Sequence, residues 1–211
     1  MNTNLHSNQP LLSYGADLKD AARLVLLLHG RGATADSMQP LAAALHTPGT
    51  RFLIPQAGFN RWYPNTAFGP LEANEPDLSY ALETLDSLVK QAQSDGPTDR
   101  QIYFGGFSQG ACLAAEYVTR NPRRYGGLFV FSGALIGPPD LPRSDPGSFE
   151  GMPVFIGGSD VDPWVSHDWM AQTARNFERM GAQVDFRTYP GMSHSVNQDE
   201  VGAVRGMLRD G

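Results

Sequence analysis

Gln101-Ile102-Tyr103-Phe104, then Gly105-Gly106-Phe107-Ser108-Gln109-Gly110, then Ala111-Cys112-Leu113-Ala114-Ala115-Glu116-Tyr117-Val118, reads as a strand, a tight turn and a helix. A serine at the apex of so sharp a turn projects its hydroxyl clear of a sheet. Glycines two residues to either side leave room where a side chain would clash. The Gly-x-Ser-x-Gly pattern alone is weak, because 23 of the 211 residues are glycine, so the flanking structure and the missing partners must carry the reading.

Working outward, Leu24-Val25-Leu26-Leu27-Leu28 is a continuous apolar run of the kind buried on both faces of a parallel sheet. Further strands are expected at 51–54, 127–131 and 153–156, and 184–189 alternates like an outer strand. Between them lie helical stripes. Met38, Leu41, Ala42 and Leu45 form one, with Asp36 or Ser37 available as a cap and Pro40 near the first turn; Leu78, Ala81, Leu82, Leu85, Leu88 and Val89 form another. The helix after Ser108 should end by Asn121-Pro122. Trp169, Met170, Thr173 and Phe177 mark a helix closed by Gly181, and Val201, Val204, Met207 and Leu208 mark a last one. Strands alternating with helices imply right-handed parallel crossovers, hence an α/β fold: a three-layer α/β/α sandwich on a mostly parallel sheet, one domain over 1–211 with no large cap. Residues 1–13 are expected to be a poorly ordered extension, and 10–22 to hold one edge strand or none. The stretches 55–76 and 132–151 are Pro/Gly-rich loops of the kind that carry function.

Composition narrows the class. At this length folding should bury roughly 70% of the unfolded chain's surface, enough for a core without disulfides. The single cysteine, Cys112, excludes an internal disulfide or multi-cysteine metal site; four residues after Ser108, it reads as a small buried hydrophobe rather than a reactive thiol. Sixteen basic against 22 acidic residues give a net charge of −6 with no basic block, so nucleic acid is not expected as a partner. No apolar run is long enough for stable membrane insertion, and the start of the chain lacks a basic, apolar leader, so a cytoplasmic location is expected. A homodimer is left open.

A serine hydroxyl needs a base within reach, and the base needs a carboxylate that sets its tautomer. In open α/β sheets such groups gather on loops at the carboxyl ends of strands. Asp162-Pro163 follows the 153–156 strand and His194 follows the 184–189 strand, in the chain order Ser108, Asp162, His194. Asp160 is the competing acid. Of the other histidines, His6 lies in an expected mobile end, His46 at a helix terminus and His167 at a helix start facing outward; His29, at a strand end, suits a structural role. A tetrahedral intermediate needs two donors for its oxyanion, which the amides of Gln109 and Arg31 would supply, Gly30 and Gly32 letting the backbone approach. Trp62, Tyr63, Phe59 and Phe68 are candidates for one pocket wall, and Leu135, Ile136 and Trp164 for the other. A metalloenzyme is disfavoured by scattered histidines, and a nucleotide site by the lack of a phosphate-loop lysine.

His29-Gly30-Arg31-Gly32-Ala33, Gly105 to Ala111, Gly157 to Asp162-Pro163, and Gly191-Met192-Ser193-His194 together resemble the phospholipase/carboxylesterase family of α/β-hydrolases. The resemblance runs from about Leu24 to Leu208. It implies a Ser108, Asp162 and His194 triad, an oxyanion hole from the Arg31 and Gln109 amides, no cofactor, and a small-molecule ester or thioester substrate. One departure is Arg31, where many relatives carry leucine. A guanidinium at the site mouth disfavours a long acyl chain and points to short-to-medium or anionic esters, unless the side chain turns outward or pairs with an acid. Lysophospholipase or acyl-protein thioesterase action on long chains is the alternative, and a non-catalytic ligand-binding protein on the same scaffold is a third.

Overall fold

A computed structural model describes residues 4–94, 96–138 and 143–211, so the first three residues of the expected 1–13 extension and residues 139–142 of the expected 132–151 loop lie outside it. Seven strands form one sheet in the order β1-β3-β2-β4-β5-β6-β7. They are β1 (Leu11–Gly15), β2 (Arg23–Leu28), β3 (Thr50–Pro55), β4 (Ile102–Phe107), β5 (Gly127–Phe131), β6 (Pro153–Ser159) and β7 (Gln183–Tyr189). β1 pairs antiparallel to β3 and all other pairings are parallel.

The apolar run of β2 is split by the pleat between two cores. Leu24, Leu26 and Leu28 join the core beneath α2 (Asp77–Ser94), α3 (Gln109–Arg120) and α4 (His167–Arg179). Val25 and Leu27 face the opposite core, with α1 (Gln39–Leu45) and α5 (Gln198–Asp210). Burial on both faces is why this strand shows no alternation in sequence. β7 lies at the sheet edge with half-exposed residues, in keeping with its alternating pattern. The expected side-chain cap on the first helix is not made: a 3-10 turn at Asp36–Met38 precedes α1 without a side-chain cap bond, and proline occupies the first turn.

The expectation of a loose 1–13 segment is corrected for residues 4–13. Asn4 Nδ2 donates to the Tyr80 carbonyl at 2.9 Å, and the Gly58 amide donates to His6 Nδ1 at 3.1 Å. His6 is 2% exposed, with its ring 5.5 Å from that of Trp62, so it is a core histidine and not a mobile one. The Gln56 amide donates to the Pro10 carbonyl, and β1 then satisfies the otherwise open edge of β3. Burying these groups offsets the cost of ordering a polar segment that has little apolar pattern of its own.

Glu200, in the first turn of α5, is fully buried. Its Oε2 accepts the Asn197 amide at 2.8 Å, while Oε1 has no hydrogen-bond partner among the described residues. A Cβ on Gly157 would lie 2.4 Å from that oxygen, so the carboxyl is pressed against β6. Desolvation, with a smaller push from Asp199, raises its pKa from 4.5 to about 7. Between those values the folded protein holds a proton that the unfolded chain releases, so this group's contribution to stability falls as pH rises from about 4.5 to about 7. The loss should amount to about 3 kcal/mol at pH 8. Glu200→Gln should therefore be more stable than the parent at pH 8 and show little difference at pH 5, measured by urea midpoints. A constant offset at both pH values would contradict the assignment.

Candidate active site

The turn between β4 and α3 is held at its ends and strained at its centre. The Ser108 amide donates to the Phe131 carbonyl at 2.9 Å, and the Cys112 amide donates to the Ser108 carbonyl at 3.0 Å. Ser108 itself has φ 54° and ψ −121°, a conformation that costs about 1–3 kcal/mol for a non-glycine residue. Gly106 and Gly110 make the turn feasible: a Cβ at Gly106 would meet the Leu28 carbonyl oxygen at 2.5 Å, and one at Gly110 would meet it at 2.3 Å. Both contacts are to backbone of the neighbouring strand, which cannot swing aside.

The loops after β6 and β7 bring an acid and an imidazole together. Asp162 Oδ1 accepts the amides of Trp164 at 2.8 Å and Val165 at 3.1 Å, which orients its carboxylate. Oδ2 meets His194 Nδ1 at 2.6 Å, with the Asp162 side chain wholly inaccessible and that of His194 18% exposed. Nδ1 therefore carries the proton shared with the carboxylate, and Nε2 is the nitrogen left free. The His194 ring also packs 4.7 Å from that of Phe107. Asp160, the competing acid, does something else: its Oδ1 accepts the Gly191 amide at 2.8 Å and ties the two loops together.

Ser108, Gln109, Arg31 and His194 line one cavity of about 760 Å³. The amides of Arg31 and Gln109 donate to no backbone carbonyl among the described residues, the latter because the first amides of a helix have no intrahelical acceptor. Behind them His29 serves as a structural brace. The Ala57 amide donates to its Nε2 at 3.0 Å, which leaves the proton on Nδ1 to bond the Gly30 carbonyl at 2.8 Å. Burial lowers its pKa, in keeping with that neutral tautomer.

The aromatic loop after β3 is fastened by side chains that sequence patterns do not flag. Gln109 Oε1 accepts the Trp62 amide and its Nε2 donates to the Tyr63 carbonyl, both at 2.9 Å. The Arg31 guanidinium donates to the carbonyls of Tyr63 at 3.0 Å, Pro64 at 2.9 Å, and Asn65. Although the residue is exposed, its guanidinium is thus tied to the loop, and it pairs with no acid among the described residues. It holds the loop while lining the cavity, and burial lowers its pKa without removing its charge. A run of carbonyls meeting one arginine is visible only in three dimensions.

Of the expected pocket residues, Tyr63, Phe68 and Trp164 line this cavity, and Trp164 is 67% exposed at its rim. Two expectations are corrected. Trp62 is fully buried and absent from the wall, because its indole N–H donates to the His29 carbonyl at 2.9 Å and its ring packs between His6 and His29. Leu135, with Ile136, lines a different cavity, since the chain after β5 turns along α4 rather than toward Ser108. Phe59 points outward, 83% exposed. His167 is part-exposed at the start of α4, where its Nε2 meets the Thr188 hydroxyl at 2.9 Å. Cys112 lies in the cavity floor, where burial pushes its thiol up to about 11 and keeps it neutral and unreactive. Among the described residues no three His, Cys, Asp or Glu side chains gather as a metal-ligand set, and no helix is long and apolar enough to cross a membrane.

The phospholipase/carboxylesterase family model matches residues 16–210. Acyl-protein thioesterase 1 of Debaryomyces hansenii is 32% identical over 154 residues, covering 71% of this chain and 66% of that protein. Acyl-protein thioesterase 1 of Saccharomyces cerevisiae is 27% identical over 212 residues, covering 90% of this chain and 93% of that one. Among solved structures, a phospholipase/carboxylesterase from Dyadobacter fermentans superposes with a TM-score of 0.91 at 36% identity, covering 96% and 97% of the two chains. With the match running from just after β1 to the end of the last helix, the chain belongs to the phospholipase/carboxylesterase family of α/β-hydrolases and is an enzyme, a hydrolase of the carboxylesterase/thioesterase type.

Proposed function

We propose that the protein cleaves carboxylic esters or thioesters through an acyl-Ser108 intermediate. The observation that carries this reading is that His194, held by Asp162 at 2.6 Å, lines the same cavity as the strained Ser108 turn. As Ser108 Oγ attacks the carbonyl carbon, its proton passes to His194 Nε2, and the imidazolium is held by Asp162 through Nδ1–H. The carbonyl electrons move onto oxygen, and the amides of Arg31 and Gln109 donate to that oxyanion. Collapse breaks the bond to the alcohol or thiol, which takes the proton from Nε2. Water, losing its proton to the same nitrogen, then attacks the acyl-serine; the bond from the acyl carbon to Ser108 Oγ breaks, Oγ takes the proton back from Nε2, and the acid is released.

The substrate reading is a short-to-medium acyl chain or an anionic ester. A cavity of about 760 Å³ walled by Tyr63, Phe68, Trp164 and Trp169 suits an apolar acyl group, and the Arg31 charge at its edge disfavours a long chain crossing it. The second reading, thioesterase action on a long-chain acyl-protein, draws on the yeast relatives named acyl-protein thioesterases. A fluorophosphonate probe tests the nucleophile: the expected result is one adduct per chain, on the peptide holding Ser108. No adduct, or an adduct elsewhere, would point to a binding protein on a hydrolase scaffold. A panel of esters and thioesters of graded chain length then separates the substrate readings.

A further inference from the structure

A second cavity, of about 490 Å³, lies between α4 and the residues 135–138 and 143–146, and Trp169 lines both it and the cavity of Ser108. The partition is built rather than incidental. The Phe68 ring packs 4.0 Å from that of Trp169, the Gly137 amide donates to the Ala67 carbonyl at 2.8 Å, and the Leu135 amide donates to the Thr173 hydroxyl at 3.0 Å.

Among the described residues, charge in this second cavity does not balance. Arg143, on its wall, is held by Asp145 through two bonds of 2.9 Å and by the fully buried Glu116 at 2.7 Å, while Arg120 also meets Glu116 at 2.7 Å. Two arginines and two carboxylates cancel. Arg175 and Arg179 are left over, four residues apart on the exposed side of α4, and both line the cavity. Arg179 donates to Asn176 Oδ1 at 2.7 Å, and neither guanidinium pairs with a carboxylate among the described residues. Like charges at this spacing weaken a helix, so the fold draws nothing from having the two side by side, although Arg179 holds Asn176 and favours the charged form of Asp145. Beside them Leu71, Leu135, Ile136 and Trp169 supply an apolar wall.

We propose that this cavity binds the carboxylate of an amphiphilic acid, its apolar chain on Leu71, Ile136 and Trp169 and its carboxylate on Arg175 and Arg179. Guanidinium forks match carboxylate geometry, so two of them side by side can hold one carboxylate. The apolar wall, which inorganic phosphate cannot use, selects an amphiphilic carboxylate over a phosphate ion. The ligand has two sources: the free acid that the neighbouring site would release, or the remote carboxylate of an ester held by that site. The second source rests on the reading of Ser108 as nucleophile; the binding itself does not.

The test is calorimetric titration of sodium decanoate, decanol and inorganic phosphate onto the full chain carrying Ser108→Ala, with and without Arg175→Gln and Arg179→Gln together. Saturable decanoate binding that weakens at least tenfold in the arginine variant, with decanol unaffected, is the expected result. Unchanged decanoate affinity, or phosphate binding as strongly as decanoate, would overturn the proposal. Thermal unfolding of the arginine variant should match the parent, since both side chains are exposed. With Ser108 present, a raised KM for a monomethyl dicarboxylate but not for a neutral methyl ester would identify the substrate's own carboxylate. Equal KM values with decanoate binding lost would identify the free acid. Because decanoate binding is read without turnover, its failure and the failure of the Ser108 mechanism are separable.

Discussion

Ser108→Ala is expected to lower kcat/KM for a short-chain ester by about 10⁵–10⁶ while leaving the fold intact. The change removes one oxygen for which no hydrogen bond is found among the described residues, so little native-state energy is at stake. Alanine bears the same backbone strain as serine at φ 54°. What disappears is the atom that forms the acyl intermediate. The remaining amides and cavity can still polarise a carbonyl for attack by water, which leaves a residual rate well above the uncatalysed one. The measurement is steady-state kinetics with far-UV circular dichroism as a control. A variant that keeps more than a tenth of the parent rate would remove Ser108 from the mechanism.

Asp162→Asn is expected to cost about 10⁴-fold in kcat, whereas Asp160→Asn should cost less than tenfold. The two positions separate two jobs. In the first variant the new amide keeps an oxygen for the backbone N–H groups of Trp164 and Val165, so the loop should hold its shape. Its NH₂ would then face His194 Nδ1 as a donor, forcing the ring proton onto Nε2, the nitrogen that must accept the Ser108 proton. Asp160 only accepts the Gly191 amide, and an asparagine oxygen does that equally well. Equal losses at both positions would mean that loop tethering, and not imidazole tautomer, sets the rate.

The sheet was largely legible because the strands are bounded by turn residues and each helix shows its own apolar stripe. β4, its turn and α3 stand out most clearly, since residues 102–120 contain a period change and two obligatory glycines in a short span. Segment 4–10 was not legible: its anchors, Asn4 to Tyr80 and His6 to Gly58, are single polar bonds to residues more than 50 positions away, with no periodic signature. Trp62 and Leu135 failed as pocket residues for a related reason. An aromatic or aliphatic side chain in a loop is equally suited to a wall and to a core, and only the path of the chain decides. Trp62 is drawn inward by the His29 carbonyl, and Leu135 is drawn along α4 by Thr173.

Local pattern along the chain is enough to set the layer order of the fold, the turn that exposes Ser108, and the order of Ser108, Asp162 and His194, because these depend on periodicity, turn residues and the rule that sites gather at strand ends. Only the tertiary structure decided which acid meets the imidazole, since Asp160 and Asp162 lie two residues apart and differ in which loop atoms surround them. It also decided that the Arg31 charge is spread across three carbonyls, and that Arg175 and Arg179 share a cavity without a carboxylate among the described residues to neutralise them. Such outcomes depend on distances between residues far apart in the chain, which no local pattern encodes.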